Sequence, residues 1–349
     1  MTRQIGATEP RMASGRARFY ARRASSGESS MSEVAVIGAG TMGHALALVF
    51  CLGGHRVRLT DSNPETLRRA PALMNTALDT LREAGEVPDS APQGGIGQAV
   101  RLCETLAETV AGADLVVEAI IETEAAKRAL FAQLEGLMRK DAILASNTSQ
   151  LDIFPLVPQG LRPRTLIAHW YTPPYLVDLV DVVGGPHTDP AAVETVRAML
   201  AAMGKAPLVF GKFVPGYIAN RIQAAIAAEV YSLLDAGLVT PEEVDLSVIH
   251  GLALRLPVLA VLAKADFTGL PLVNTVLTNG SYTPPPPPTQ SPTLDRLVAE
   301  GRTGVMAGKG FFDWGDAKPE ELFRERDRRL LKLKQALRGI APMMGAGKP

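Results

Sequence analysis

The stretch EVAVIGAGTMGHALALVFCLGGHRVRLTD, residues 33–61, constrains the fold more than any other part of the chain. VAVI is a short, largely β-branched run. Gly38, Gly40 and Gly43 follow at the spacing G-x-G-x-x-G, with Thr41 and Met42 inside the turn. From Thr41 to Leu52 the apolar residues recur at helical spacing, and Gly53-Gly54 ends the helix. HRVRLTD alternates as a strand does and closes on Asp61. Strand, glycine turn, helix, strand and terminal acid in this order form a dinucleotide-binding βαβ fingerprint. Gly38 allows the tight turn, Gly40 lets the backbone approach a pyrophosphate, and Gly43 lets helix and strand pack closely. The helix N-terminus offers unpaired N–H groups and a partial positive charge to phosphates. Asp61 is placed to accept hydrogen bonds from an adenosine ribose and to repel a 2′-phosphate, which favours NAD over NADP. FAD shares the fingerprint, so the choice of NAD also rests on the catalytic residues further along. The plain alternative is a glycine turn without a ligand.

The alternation continues beyond this unit. A helical stretch at 64–85 precedes the loop APQGGIG, and GADLVVEAI (112–120) reads as a buried strand followed by the helix EAAKRALFAQLEGLM. DAILASNTS, RTLIAH and YLVDLVDVV read as three more strands, the last two joined by a Thr-Pro-Pro turn. A helix at 189–203 and the strand PLVF at 207–210 complete this half. Strands alternating with helices predict an α/β fold, a Rossmann-like doubly wound sheet with helices on both faces, over residues 31–212. After VPGYIANR the pattern is helical only, which predicts a C-terminal all-α domain over 213–316. Pro215 suits the first turn of a long apolar helix ending near Leu234. Thr240-Pro-Glu-Glu243 is a capping box, and helical spacing runs on through 272. SYTPPPPPTQSPT reads as a stiff extended connector. The segment 317–349 carries a helix with Phe323, Leu330, Leu333 and Leu337 on one stripe, expected to pack on the body, and then a tail.

Composition closes off several classes. The 349 residues suffice for two domains, and a formal net charge of zero with 46% hydrophobic residues excludes both wholesale disorder and a nucleic-acid footprint. Two cysteines, Cys51 and Cys103, make no disulfide framework and no metal-ligand spacing, so no metal is expected. No apolar run is long enough to cross a membrane. A reducing, cytoplasmic setting follows as the default. Residues 1–30 hold six arginines and two acids without apolar periodicity. They read as a disordered extension, or as a transit peptide that moves the setting to an organelle matrix.

The chemistry concentrates in AHWYTPPYLVDLVDVV, residues 168–183. His169 ends one apolar strand, and Asp181 sits inside the next, where a carboxylate needs a partner. If the two strands pair, Asp181 comes to the histidine's side, while Asp178, an odd number of residues away, faces oppositely. A histidine held by a carboxylate is a general base, because the acid fixes the tautomer and supports the imidazolium. Beside NAD, such a pair suggests alcohol oxidation. Taken alone, the stretch also fits a core histidine with a chance acid nearby.

GAGTMG, DLVVEAIIE (114–122), ASNTS (145–149), the histidine strand, PGYIANR (215–221) and GVMAGKGFFDW (304–314) stand in one order. Through these motifs the chain resembles the L-3-hydroxyacyl-CoA dehydrogenase family over residues 32–315. The resemblance implies that His169 and Asp181 are the catalytic pair, with an aspartate where the family usually has glutamate. It implies that Ser149 and Asn220 hydrogen-bond the substrate, and that Glu122 and Lys127 contact the cofactor, with Asn147 of ASNTS beside them. It also implies a homodimer, for which the alanine-rich helix after Pro215 is the candidate interface and burial in a bundle the alternative.

The family majority oxidises a 3-hydroxyacyl-CoA, which is the first expectation for the substrate. The alternative is a small free hydroxy acid. CoA phosphates call for positive charge. Yet the region after Asp61 has no lysine, leaving Arg68, Arg69 and Arg82, and Met306 stands where the family commonly has lysine. A non-catalytic NAD-binding protein on the same fold is a further reading, weakened by the joint presence of His169, Asp181, Ser149 and Asn220. An enzyme of the 6-phosphogluconate dehydrogenase kind would need a lysine that GYIANRIQ does not supply.

Overall fold

A computed structural model of the chain describes residues 32–89, 91, 96–280, 282–286, 289–340 and 342–343. The extension 1–30 and parts of the APQGGIG loop and the proline run lie outside them. The chain divides into two compact units, Met1–Tyr217 and Ile218–Pro349.

The N-terminal unit runs β1 (Glu33–Ile37), α1 (Gly43–Leu52), β2 (Arg56–Thr60), α2 (Pro64–Glu83), α3 (Ile96–Ala99), β3 (Val100–Leu102), α4 (Leu106–Val110) and β4 (Leu115–Glu118). It continues with α5 (Glu124–Leu137), β5 (Ile143–Ser146), β6 (Thr165–Trp170), β7 (Leu179–Gly184), α6 (Pro190–Ala202) and β8 (Ala206–Phe210). The strands form one eight-stranded sheet in the order β3-β2-β1-β4-β5-β6-β7-β8. It is parallel throughout except between β6 and β7, which run antiparallel. Strands buried on both faces read as continuous apolar runs, as LVVE and ILAS do here. The order reverses between β1 and β4, which opens a crevice beyond their C-terminal ends. Phe131, Leu134, Leu144, Ile153 and Val116 fill the core on the α5 side.

The strand at YLVDLVDVV starts later than its apolar pattern suggests. β7 begins at Leu179, because Pro173 and Pro174 lack ladder donors and the N–H groups of Leu176 and Val177 turn back to the Pro173 carbonyl. The short β3 and the helices α3 and α4 carry too little periodicity to be read from sequence.

The C-terminal unit is helical: α7 (Ala219–Asp235), α8 (Pro241–Ser247) with a π-helical continuation Val248–Ala253, α9 (Leu256–Leu259), α10 (Leu262–Thr268), α11 (Leu270–Asn279), α12 (Pro292–Ala299) and α13 (Pro319–Leu337). The long helix does not start at Pro215. Gly216 and Tyr217 take positive φ values of 74° and 50°, which no helix tolerates, so Asn220 is the second residue of α7 rather than a turn inside it. The capping box forms as expected, Thr240 and Glu243 each accepting from the other's backbone N–H. Ser291 and Thr293 both donate to Asp235, fastening the start of α12 to the end of α7. On α13 the expected stripe is not the covered face: Leu331 and Asp327 are buried, whereas Leu330 and Leu333 are exposed. The carboxylate of Asp327 pairs with Arg326, and of the expected stripe only Phe323 and Leu337 are half-buried.

Candidate active site

The glycine turn shows why each glycine is needed. A Cβ on Gly43 would stand 1.6 Å from the Gly38 carbonyl oxygen, and one on Gly38 would meet Ala119 O at 2.5 Å. Gly38 also has φ +95°. Around Gly40 the situation is opposite: a Cβ there would find no heavy atom within 4 Å. Gly40 therefore leaves room for something the protein itself does not supply. The Asp61 carboxylate closes the turn, accepting from Ala39 N at 2.7 Å and from Asn63 N at 2.8 Å. Gly38, Gly40, Asp61, Ala119 and Ile120 line a cleft of about 520 Å³. A neighbouring space of about 350 Å³ is lined by Gly40, Thr41, Met42, Glu122, Lys127, Asn147 and Ser149. These volumes are of ligand size, and the open side at Gly40 together with the N-terminus of α1 fits a pyrophosphate.

The floor of the second space is an ionic cluster. Lys127 Nζ is buried and donates to both oxygens of Glu118 at 2.7 and 2.8 Å, with Glu122 Oε2 at 3.2 Å. Ser146, opposite Glu118 in the β4–β5 ladder, donates to it at 2.5 Å. Lys127 thus meets the cleft with its ammonium already paired. Glu122 in turn accepts from Thr148 Oγ1, Ser149 N and Gln150 N at 2.5, 2.9 and 3.2 Å. Burial acts to raise its pKa, but the Thr148 hydrogen bond and the Lys127 charge outweigh it and hold the carboxyl below its ordinary value. Asn147 is engaged structurally, its Oδ1 accepting from Trp170 N at 2.9 Å. Glu118 escaped the sequence reading, although an acid at the end of LVVE is the same anomaly that singled out Asp181.

His169 and Asp181 stand directly opposite each other in the antiparallel β6–β7 ladder, so their side chains share one face. Both are buried, at 5% and 1% exposure. His169 Nδ1 lies 3.1 Å from Asp181 Oδ2. Two aromatic residues that the sequence reading passed over complete the setting. Tyr171 donates its hydroxyl to the same Oδ2 at 2.6 Å and meets the imidazole edge-on. Tyr217 stacks on the imidazole with centroids 4.8 Å apart, and its hydroxyl donates to Thr148 O at 3.0 Å. Through Thr148 the imidazole is tied to the strand-end turn that carries Ser149 and to Glu122. The period of two made Tyr171 findable, since it faces the same way as His169. Nothing local announces the left-handed backbone that turns Tyr217 inward. Asn220 lies in the C-terminal unit, on α7.

Comparisons with known proteins identify the family. The model of the 3-hydroxyacyl-CoA dehydrogenase NAD binding domain matches residues 33–213, and that of the 3-hydroxyacyl-CoA dehydrogenase C-terminal domain matches 216–314. A 5-formyl-3-hydroxy-2-methylpyridine 4-carboxylate 5-dehydrogenase from Mesorhizobium japonicum is 29% identical over 307 residues, 88% of this chain and 98% of its own length. A probable 3-hydroxybutyryl-CoA dehydrogenase from Deinococcus radiodurans is 33% identical over 287 residues, 80% of this chain and 99% of its own. A solved structure of a 5-formyl-3-hydroxy-2-methylpyridine 4-carboxylic acid 5-dehydrogenase, described as an NAD+-dependent dismutase, superposes with a TM-score of 0.79 at 28% identity, covering 89% of this chain and all of its own. The doubly wound sheet, the glycine cradle and two family matches spanning both units place the chain in the 3-hydroxyacyl-CoA dehydrogenase family, as an NAD-dependent dehydrogenase acting on CH–OH groups.

Proposed function

We propose that His169 is the general base of the reaction, with Asp181 as its partner, and that the substrate is a small hydroxy acid rather than a CoA thioester. The observation that carries the first part is the buried His169–Asp181 contact at 3.1 Å. A carboxylate oxygen can only accept, so Nδ1 carries the hydrogen and Nε2 keeps its lone pair. No hydrogen bond occupies Nε2 among the described residues of the N-terminal unit. His169 is thus prepared to take a hydroxyl proton, and Asp181 supports the charge that then forms on the ring. NAD, held by Gly38, Gly40, Gly43 and Asp61 with Thr41 and Met42 at the turn, supplies the hydride acceptor. Ser149 is proposed to hold the substrate oxygen, and the resemblance alone proposes the same role for Asn220. Two chains are proposed to form the working molecule.

For the substrate, the charge on α2 supports the free acid. Its arginines are mostly neutralised within the helix: Arg68 pairs with Glu65 and Arg82 with Asp79. That leaves little positive charge for the phosphates of CoA, where arginine forks on phosphate would be expected. The near full-length relative named for a pyridine carboxylate supports the same choice. NADH formation and consumption, measured with acetoacetyl-CoA, 3-hydroxybutyryl-CoA and a panel of free hydroxy and oxo acids, tests it. Turnover confined to the free acids is expected, and turnover confined to the thioesters rejects the substrate reading. His169→Gln is expected to lower kcat at least 100-fold with NAD binding intact, the lower bound of what a general base contributes, roughly 10²–10⁴. A variant within threefold of wild type removes the base.

A further inference from the structure

Tyr171 is the first residue after β6 and shares the imidazole's side of the sheet. Its hydroxyl lies 2.6 Å from Asp181 Oδ2, and the imidazole Nδ1 reaches the same atom at 3.1 Å. Among the described residues, the second carboxylate oxygen, Oδ1, is buried without a hydrogen-bond partner. The hydrogen bonding that Asp181 receives from them thus converges on one oxygen, and the phenol holds the shorter of the two contacts. Hydrogen bonds to an ionised acceptor draw on its charge, so a second donor weakens what the first receives.

On the reading of His169 as base, we propose that Tyr171 is a positioning residue that holds the Asp181 carboxylate in register and moderates its pull on the imidazole. An aspartate is short, and in this site the phenol holds the same carboxylate oxygen that the imidazole N–H reaches. Burial, followed by the hydrogen bond to Asp181, pushes the Tyr171 phenol well above its ordinary value, so it remains a donor at every pH at which the enzyme works. Tyr217, stacked on the imidazole, and Glu122, reached through Thr148, are the further titratable groups around it. Tyr217 is likewise raised, first by burial and then by Asp181, Glu122, Tyr171 and Asp152. Glu122 is held low by its hydrogen bonds and by Lys127 against the effect of burial.

The sign follows directly. Without the phenol hydroxyl, Asp181 offers more charge to a protonated ring, so the imidazolium persists to higher pH and the base is lost earlier on acidification. In Tyr171→Phe, the acidic limb of the kcat/KM profile at saturating NAD is expected to move up by about half a pH unit, roughly threefold in proton affinity, a fraction of what one hydrogen bond to a charged group contributes. The plateau is expected to change less than tenfold. Incorporating 3-fluorotyrosine at position 171 keeps the shape and strengthens the donor, so the limb is expected to move down. This second protein answers the question even if the phenylalanine variant folds poorly. A limb that stays in place in both, whatever happens to the plateau, overturns the proposal. His169→Gln, measured alongside, separates the two claims: an inactive variant with unmoved Tyr171 profiles defeats the tuning alone, and an active one defeats the base itself.

Discussion

At the residue scale, the informative positions are those where a polar side chain breaks an apolar pattern. Asp61 is one. Its carboxylate accepts from Ala39 N and Asn63 N, so it shapes the glycine turn before any ligand arrives. The remaining lone pairs face the cleft it lines. Asp61→Ala is expected to weaken NAD at least tenfold, as judged by fluorescence titration, and to weaken NADP much less, because the repulsion of a 2′-phosphate goes with the carboxylate. Equal weakening of both would assign Asp61 to the turn alone. Asp61 was legible as the acid that closes the βαβ fingerprint, and His169 and Asp181 because an acid or imidazole in a buried strand has few uses besides chemistry or pairing. Glu118 and Lys127 carry the same signal, yet sequence cannot tell that they neutralise each other, since that depends on α5 folding back over the end of β4. Tyr217 was beyond reach for a different reason. A left-handed conformation in a residue with a Cβ costs energy that only the surrounding packing repays, and no local pattern encodes that packing.

At the element scale, the first βαβ unit was the most legible part of the chain, because each of its signals constrains the others. Helix α1 packs so closely on the turn that Gly43 has no room for a methyl group. Gly40, by contrast, has space around it in the folded chain. The two glycines therefore separate by experiment. Gly43→Ala is expected to cost about 3 kcal/mol in denaturant unfolding, the upper range for overpacking, since both atoms in conflict are backbone. Gly40→Ala is expected to leave stability within about 0.5 kcal/mol, as for substitutions that meet no packed atoms, and to abolish tight NAD binding. A Gly40→Ala protein that binds NAD normally would show that the open space serves something else. Elements without mutually reinforcing signals were read less well. The strand β3 has three residues, and α12 follows a proline-rich connector whose composition hid its capping serine. The start of β7 was misplaced because the apolar run begins before the hydrogen-bond ladder does.

At the scale of the whole molecule, the two units differ in what they bury. The N-terminal sheet encloses a continuous core. Helix α7 buries none of its residues. Ile218, Ile222 and Ile226 recur every four positions along one exposed stripe, and Leu262, Phe267 and Leu277 on the following helices, with Leu254 in the turn before them, are more exposed still. Monomers rarely leave so much apolar surface, and under the proposed pairing of two chains a second copy presenting the same stripe would close it symmetrically. The sequence suggested an interface on this helix but offered burial in a bundle equally, because periodicity reports that a face is apolar and not what covers it. If two chains share this surface, folding and association are linked, and the melting temperature must depend on concentration. Light scattering is expected to give twice the chain mass at micromolar concentration, with the thermal midpoint rising as protein is concentrated. Ile226→Glu is expected to halve the mass and remove the concentration dependence, since a charge on the stripe must then be desolvated in both copies. A wild-type midpoint independent of concentration over a hundredfold range would assign the stripe to a cover within the same chain.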